Sequence, residues 1–174
     1  MLAIDGPSGS GKTCLAAQIA DIAETQLGVI HMDDIFPGWD GLAQAPGLLV
    51  DQVLKPLHDG LPAAYHRWDW EADQWAERHP VPESEVLIIE GVGSGALACA
   101  SYLAMLVWIE ASRDVRMERG LERDGEAYRP HWERWARQEA AMFADDRTRE
   151  RADVRVDGNP AEPHDRDREV VLLR

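Results

Sequence analysis

The residues with the clearest potential for chemistry lie near the start of the chain, in the segment GPSGSGKT at positions 6–13. Gly6, Gly11, Lys12 and Thr13 occupy every fixed position of the phosphate-binding pattern G-x-x-x-x-G-K-[ST]. In such a loop, backbone N–H groups at a helix N-terminus bind phosphate oxygens, the lysine adds a cation, and the hydroxyl ligates Mg²⁺. An apolar run precedes the segment and a helical pattern follows it, so a chance match is the weaker explanation. The candidate cofactor-binding residues here are Gly6, Ser8, Gly9, Ser10, Gly11, Lys12, Thr13 and Cys14.

Carboxylates follow two other apolar runs. Asp33 and Asp34 come after residues 29–32, and Glu90 comes after residues 86–89. A carboxylate there could accept the proton of an attacking hydroxyl or hold Mg²⁺ through water, although an Asp pair that caps a turn is an equal alternative for Asp33. Asp34 is read as a structural residue or a substrate contact, and Glu90 as a contact near the metal or the acceptor. The candidate metal-binding residues are Thr13, Asp33 and Glu90.

Three arginines form another candidate group. Arg116, Arg119 and Arg123 lie three or four residues apart in a predicted helix over 113–123, so they share one helix face. Guanidinium groups suit phosphate oxygens and can balance the charge on a phosphoryl group in transfer. Acidic residues are interleaved with them, so a salt-bridged solvent face is the alternative.

An aromatic and charged cluster lies in the middle of the chain. Its members are Trp39, Trp68 and Trp70 with Tyr65, His66, Arg67 and Asp69. The aromatic rings could stack on a planar base while Asp69 holds a sugar hydroxyl, or the cluster could pack the loops together. The surrounding region 62–82 is predicted to be irregular, with one short helix at 71–78. The candidate substrate contacts are Asp34, Trp39, Tyr65, Arg67, Asp69 and Glu90.

Short apolar strands alternate with helical patterns along the chain. Strands are predicted at 2–5, 29–32, 86–89, 105–109, 154–156 and 170–173. Helices are predicted at 11–27, 48–58, 95–101, 113–123 and 130–149. This alternation predicts a parallel sheet with helices on both faces. Because ligands bind beyond the carboxyl ends of such strands, the loop, the carboxylates and the arginines should face one crevice.

Composition limits the classes of partner. The 174 residues fit one domain, and a net charge of −14 argues against a DNA or RNA partner, which requires a basic face. A small phosphorylated ligand remains compatible. Cys14 and Cys99 show no metal or redox spacing, no apolar run approaches the roughly 20 residues of a membrane span, and no signal peptide is recognisable. We expect a reduced, cytoplasmic protein with no membrane or nucleic-acid partner.

Several segments together resemble one family. The order GPSGSGKT (6–13), HMDDIF (31–36), IIEG (88–91), RMER (116–119) with Arg123-Asp124, and ADV (152–154) is similar to the uridine kinase and nicotinamide riboside kinase group of P-loop kinases. The resemblance covers most of the chain, but in pieces. Residues 36–41 lack the family's Tyr or Lys-Pro, and residues 65–70 match its nucleoside-contacting residues poorly.

The resemblance implies a P-loop NTPase fold of the α/β class, a three-layer sandwich with a five-stranded parallel sheet in the order 2-3-1-4-5 and an Arg-rich helical lid. It implies ATP and Mg²⁺ as cofactors, an adenine pocket at 157–160 that includes Asp157, and Asp33 as general base. The implied catalytic residues are Asp33, Lys12, Arg116, Arg119 and Arg123.

We therefore expect an ATP-dependent kinase whose acceptor is a hydroxyl, with a nucleoside or nucleoside-like compound as the best candidate. The alternatives are a nucleoside monophosphate kinase, whose anionic acceptor needs arginines rather than a base, and a nucleotide-binding regulatory module without kinase activity. Residues 1–174 are expected to form one domain, with a lid at 113–135 and an acceptor-side region at 34–82. A homodimer remains open, as does the identity of the acceptor.

Overall fold

The computed structural model describes residues 1–125, 129–165 and 168–173. Residues 126–128 of the predicted lid lie outside these ranges. The strands are β1 (Leu2–Asp5), β2 (Leu27–His31), β3 (Ala64–Asp69), β4 (Gln74–Pro80), β5 (Val86–Glu90), β6 (Met105–Glu110) and β7 (Val154–Asp157).

Five of these strands form a parallel sheet in the order β2-β5-β1-β6-β7. The α/β class and the parallel sheet are confirmed. This order differs in its numbers from the predicted 2-3-1-4-5. The hairpin strands β3 and β4, which the sequence did not predict, lie in a separate sheet and shift the number of every later strand by two. In the register, Ile4 of the central strand lies between Glu90 and Val107, so the phosphate loop leaves the sheet beside the end of β5.

Helices cover both faces of the sheet. The α-helices are α1 (Lys12–Ile22), α2 (Ala45–Leu49), α3 (Lys55–His58), α4 (Arg113–Asp124), α5 (Arg129–Asp146) and α6 (Thr148–Arg151). A π-helical stretch at Val50–Leu54 joins α2 to α3, and 3₁₀ turns cover Met32–Asp34 and Leu97–Tyr102. The predicted helix at 95–101 is therefore a 3₁₀ turn.

Two predicted helices have different bounds. The helix predicted over 11–27 ends at Ile22, because the chain becomes extended at Ala23 and Leu27 pairs with Val86 in the sheet. The helix predicted over 130–149 is divided at Arg147, which adopts a left-handed conformation with φ of 50°. Sheet pairing and a local turn override the helical pattern in these two places.

The prediction for residues 62–82 is wrong, because this region forms the antiparallel hairpin β3–β4. Trp68 and Trp75 pack across the two strands with ring centroids 5.0 Å apart, which is the type of aromatic pair that stabilises a ladder. The carboxylate of Asp69 accepts the backbone N–H groups of Glu71 and Ala72 and so forms the turn. The strand predicted at 170–173 is also wrong, since the described part of this segment makes one isolated bridge, between Leu172 and Val156.

The core lies on both sides of the sheet. Ile88 packs with α1 residues such as Leu15, whereas its neighbour Ile89 packs with Phe36 and Leu49 on the opposite face. This alternation is what a strand buried on both faces requires, and it accounts for the uninterrupted apolar run of β5. Within the described residues, no helix has the length and apolar character to cross a membrane.

Candidate active site

The predicted groups meet in one cleft at the carboxyl ends of the strands, with a volume of about 1480 Å³. Its lining includes Lys12 of the loop, Asp33 after β2, Glu90 at the end of β5, and Arg119 and Arg123 of α4. The parallel sheet brings these residues together because each follows or ends a different strand. Their predicted catalytic and ligand-binding roles stay predictions.

The glycines of the phosphate loop adopt backbone conformations that other residues rarely adopt. Gly6, Gly9 and Gly11 have φ values of 144°, 79° and 107°, which L side chains rarely adopt. An added Cβ at Gly6 would overlap the carbonyl oxygen of Ile109, and one at Gly9 would overlap the carbonyl oxygen of Arg116. The loop therefore packs directly against the end of β6 and against the backbone of α4.

We expect Gly9→Ala to destabilise the protein by about 2 kcal/mol or more, because the left-handed φ and the backbone overlap both oppose a side chain. Gly60→Ala is the matched control, since Gly60 has a φ of 73° and an added Cβ there meets nothing within 4 Å. The control should lose only about 1 kcal/mol, the cost of the left-handed conformation alone. Urea denaturation measures both losses, and equal losses would contradict the packing of the loop on α4.

Asp5 is a buried residue of the site that sequence reasoning missed. Its carboxylate accepts the N–H groups of Gly6 at 2.7 Å, Gly93 at 3.0 Å and Gly95 at 2.9 Å. Burial raises the pKa of Asp5 to about 6, although these N–H groups and Lys12 lower it. Through these three hydrogen bonds, Asp5 connects the start of the phosphate loop to the segment after β5. The only signal in the sequence is an acidic residue between an apolar strand and a glycine, which a solvated strand end also shows.

Lys12 and the nearby oxygen atoms suit a phosphate and a hard metal ion. The Lys12 ammonium donates to the carbonyl oxygens of Gly6 at 2.8 Å and Pro7 at 3.0 Å, inside the loop. The Thr13 hydroxyl donates to Glu90 Oε1 at 3.1 Å. Among the described residues, no group of three or more His, Cys, Asp or Glu could hold a metal. The oxygen atoms of Thr13 and Glu90 are hard ligands of the type that Mg²⁺ binds together with water and phosphate.

His31 shares the same carboxylate oxygen. Its Nδ1 lies 2.5 Å from Glu90 Oε1, and this hydrogen bond is the main cause that raises the pKa of His31. The sequence predicts His31 as a strand residue at the mouth of the site rather than a base. It does not predict the contact with Glu90, which lies far along the chain and becomes a neighbour through the pairing of β2 with β5.

Asp33 lies in the 3₁₀ turn after β2 and faces the cleft. Although Asp33 keeps exposure to solvent, partial desolvation by the surrounding protein is the first cause that raises its pKa, and the nearby charge of Glu90 is the second. Lys12 and Arg123 act in the opposite direction. The indole N–H of Trp70 donates to the backbone oxygen of Asp33 at 2.9 Å, so the hairpin supports this turn. The pKa of the Asp33 carboxylate is therefore raised from its ordinary value of 3.8.

The three arginines divide into two groups. Arg119 and Arg123 line the cleft, and Arg119 donates to the backbone oxygens of Gly9 at 3.3 Å and Gly158 at 3.1 Å. Arg116 instead donates to the backbone oxygens of Ser8 and Ala111, each at 3.2 Å. The shared helix face is as expected, but Arg116 contacts protein groups behind the loop.

Aromatic rings cover the acceptor side of the cleft. Trp39 stacks on His131 of α5 with centroids 4.2 Å apart, and Trp70 lies against it at 5.1 Å. Phe36 and Trp135 also line this side, and their rings meet edge to face at 4.9 Å. The sequence groups Trp39 and Trp70 in one aromatic cluster, and both line the cleft. It does not predict the contacts with His131 and Trp135, because no local pattern places α5 beside them.

The other predicted substrate contacts lie elsewhere. Arg67 pairs with Glu77 across the hairpin at 2.8 Å, and Asp69 forms the hairpin turn. Tyr65 is buried and points its hydroxyl toward Asp34 at 3.4 Å. None of Tyr65, Arg67 and Asp69 belongs to the described lining of the cleft, although Asp34 does. These three side chains make contacts within the hairpin instead.

A second cleft, of about 440 Å³, lies beside the start of α1. Its lining includes Cys14, Arg119, Asp157, Gly158 and Val171. The carboxylate of Asp157 accepts the backbone N–H of Asn159 at 2.8 Å and so shapes this wall. The segment expected to form a base pocket is thus adjacent to the phosphate loop.

No protein-family model matches the chain, and no curated protein matches it by sequence. Solved structures do match its fold. One, described as "a Possible Uridine Kinase from Bacillus stearothermophilus", has a TM-score of 0.64 and 21% identity over 88% of this chain and 86% of its own. Another, described as a "putative fructose transport system kinase from Silicibacter sp. TM1040", has a TM-score of 0.52 and 21% identity over 87% and 84%. These similarities show that the chain shares the fold of these two structures.

Proposed function

We propose that this protein is an ATP-dependent phosphotransferase that transfers the γ-phosphoryl group of ATP to a hydroxyl acceptor. The observation that carries the proposal is the position of Asp33, a carboxylate with a raised pKa in the same cleft as the phosphate loop and Lys12. A hydroxyl group must lose a proton when it attacks the γ-phosphate, so a general base assists it. A substrate that is attacked through its own phosphate group is already anionic and needs no general base. The fold shared with P-loop kinases supports the same reaction class.

The donor would lie along the loop. Backbone N–H groups at the start of α1 and the ammonium of Lys12 hold its phosphates, and its base lies in the cleft at Asp157 and Gly158. Bound Mg²⁺ would neutralise charge on the β- and γ-phosphates, held by Thr13 with Glu90 nearby. Arg119 and Arg123 face the cleft and balance the charge of the phosphoryl group in transfer. Positioning and electrostatics supply most of the acceleration.

The charges of the cleft favour an acceptor that is not an anion. Its described lining carries five carboxylate residues against three lysine or arginine residues, and ATP itself adds negative charge. The carboxylates are Asp33, Asp34, Glu71, Glu90 and Glu122. This balance disfavours a nucleoside monophosphate, and the aromatic rings suit a flat moiety. We therefore propose a nucleoside or nucleoside-like compound as the acceptor.

The proposal predicts acceptor-dependent release of ADP from Mg·ATP. A panel of uridine, cytidine, adenosine, fructose and uridine monophosphate, measured against the background hydrolysis of ATP, separates the alternatives. Stimulation by an uncharged hydroxyl compound supports the proposal, and stimulation by the monophosphate alone would support the monophosphate kinase. Tight binding of ATP with no stimulation by any acceptor would favour the regulatory module.

A further inference from the structure

Glu139 of α5 is a buried carboxylate that the proposed reaction does not use. Only 3% of its surface is exposed, and its Oε1 accepts the backbone N–H of Ser8 at 2.8 Å. Two other side chains hold the remaining polar atoms of Ser8. Arg116 donates to its carbonyl oxygen at 3.2 Å, and the indole N–H of Trp135 donates to its hydroxyl at 2.9 Å. Ser8 belongs to the phosphate loop, yet α4 and α5 hold all of its polar groups.

The charge of Glu139 requires a partner. A carboxylate behind an anion-binding loop repels phosphate, and a buried charge without a counter-ion is strongly unfavourable. Arg116 supplies the counter-ion, since its Nη1 lies 3.8 Å from Glu139 Oε2 and its side chain is only 13% exposed. The central carbon of the Arg116 guanidinium lies 5.5 Å from the centre of the Trp132 ring. If Arg116 moved to a phosphate, it would leave Glu139 buried and unpaired.

The backbone packing agrees with this coupling. An added Cβ at Gly9 would overlap the carbonyl oxygen of Arg116, so α4 lies directly against the loop at the residue after Ser8. The loop therefore cannot shift at Ser8 and Gly9 without moving Arg116. Hydrogen bonds with side chains hold Ser8, and backbone contact with α4 holds its neighbour Gly9.

We propose that Glu139 is a positioning residue for the phosphate-binding loop and that Arg116 is its counter-ion rather than a ligand of the transferred phosphoryl group. Together they fasten the loop to α4 and α5 at Ser8, and so they set the affinity for nucleotide. This inference rests on the nucleotide-binding part of the proposed function and is independent of the acceptor.

The test measures the dissociation constant of Mg·ATP by calorimetry and the exchange rate of the Ser8 amide by hydrogen exchange. Glu139→Ala removes the acceptor, so the Ser8 amide should exchange at least about tenfold faster and ATP should bind about tenfold more weakly. Glu139→Gln keeps a carbonyl oxygen for the Ser8 N–H, so both quantities should stay within about threefold of the original protein. Rescue by this conservative variant ties the effect to the hydrogen bond.

A second set of variants separates a counter-ion from a phosphate ligand. Arg116→Gln leaves Glu139 charged beside the loop and should weaken ATP binding about tenfold or more. Adding Glu139→Gln removes that charge, so the double variant should bind ATP within about threefold of Glu139→Gln alone. Glu133→Gln, on the same helix but exposed and paired with Arg113, is the control and should change neither quantity.

Several results would overturn the inference. A double variant as weak as Arg116→Gln alone would place Arg116 on the nucleotide itself, and an unchanged Ser8 amide in Glu139→Ala would remove the positioning role. A core variant such as Val53→Ala controls for stability, because it should lower the free energy of unfolding without changing ATP affinity. If the original protein binds no Mg·ATP, the proposed function fails, and the Ser8 exchange still decides whether Glu139 positions the loop.

Discussion

Replacing Lys12 with Ala should abolish phosphoryl transfer, with a loss in kcat of about 10²–10³-fold or more. The ammonium lies inside the loop, 2.8 Å from the carbonyl oxygen of Gly6, and we propose it as the cation that holds the outer phosphates. Its charge acts in a partly desolvated site, where only 8% of the residue is exposed, so water cannot replace it fully. Acceptor-dependent ADP release gives the rate.

The matched control is Lys55→Ala. Lys55 is an exposed lysine that pairs with Asp59 at 2.5 Å and does not belong to the described lining of the cleft, so its loss should leave turnover unchanged. Circular dichroism and urea denaturation establish that Lys12→Ala is folded, which matters because Lys12 also lowers the pKa of the buried Asp5. Turnover that survives in a folded Lys12→Ala variant would refute the role of the loop in holding the donor.

Asp33→Asn should lower kcat by roughly 10²-fold or more, which is the scale of general-base catalysis. Asn has nearly the same shape but cannot accept the acceptor's proton. The Michaelis constant for ATP should change little, because the donor is held by the loop and α4. Asp21→Asn, an exposed change at the end of α1, serves as the control for loss of one negative charge.

The pH dependence provides an independent check on Asp33. A general base works only when deprotonated, so kcat should fall as the pH drops through the pKa of Asp33. Desolvation and Glu90 raise that pKa above the ordinary value of 3.8, so the fall should occur at a higher pH than for an aspartate with the ordinary pKa. The Asp33→Asn variant should lose this acidic limb. A variant with a near-normal rate and an unchanged profile would leave Asp33 a structural or metal-binding residue.

Residues close together in the sequence were the easiest to predict. The glycines, Lys12 and Thr13 lie within one turn and the start of one helix, so their spacing alone predicts how they meet a phosphate. The apolar runs of β1, β5 and β6 likewise predict buried parallel strands. From those strands it follows that Asp33 and Glu90 share one edge of the sheet, which the structure shows.

Residues that meet through long-range packing could not be predicted. Glu139 looks like any acidic residue of a helix with both polar and apolar positions, and only the packing of α5 behind the loop buries it against Ser8. Arg67 and Asp69 look like ligand contacts in a sequence rich in tryptophan. In the structure, the pairing of two strands makes them parts of a hairpin.

The sequence by itself therefore determined the phosphate loop, the class of fold and the carboxylates that follow the strands, because each depends on a local pattern of spacing and hydrophobicity. Only the tertiary structure decided which side chains serve the loop from behind. Asp5 and Glu139 are buried and Arg116 is partly buried, and their roles are set by the partners that folding places within hydrogen-bonding or ion-pairing distance. A local pattern cannot specify those partners, since they belong to distant segments of the chain.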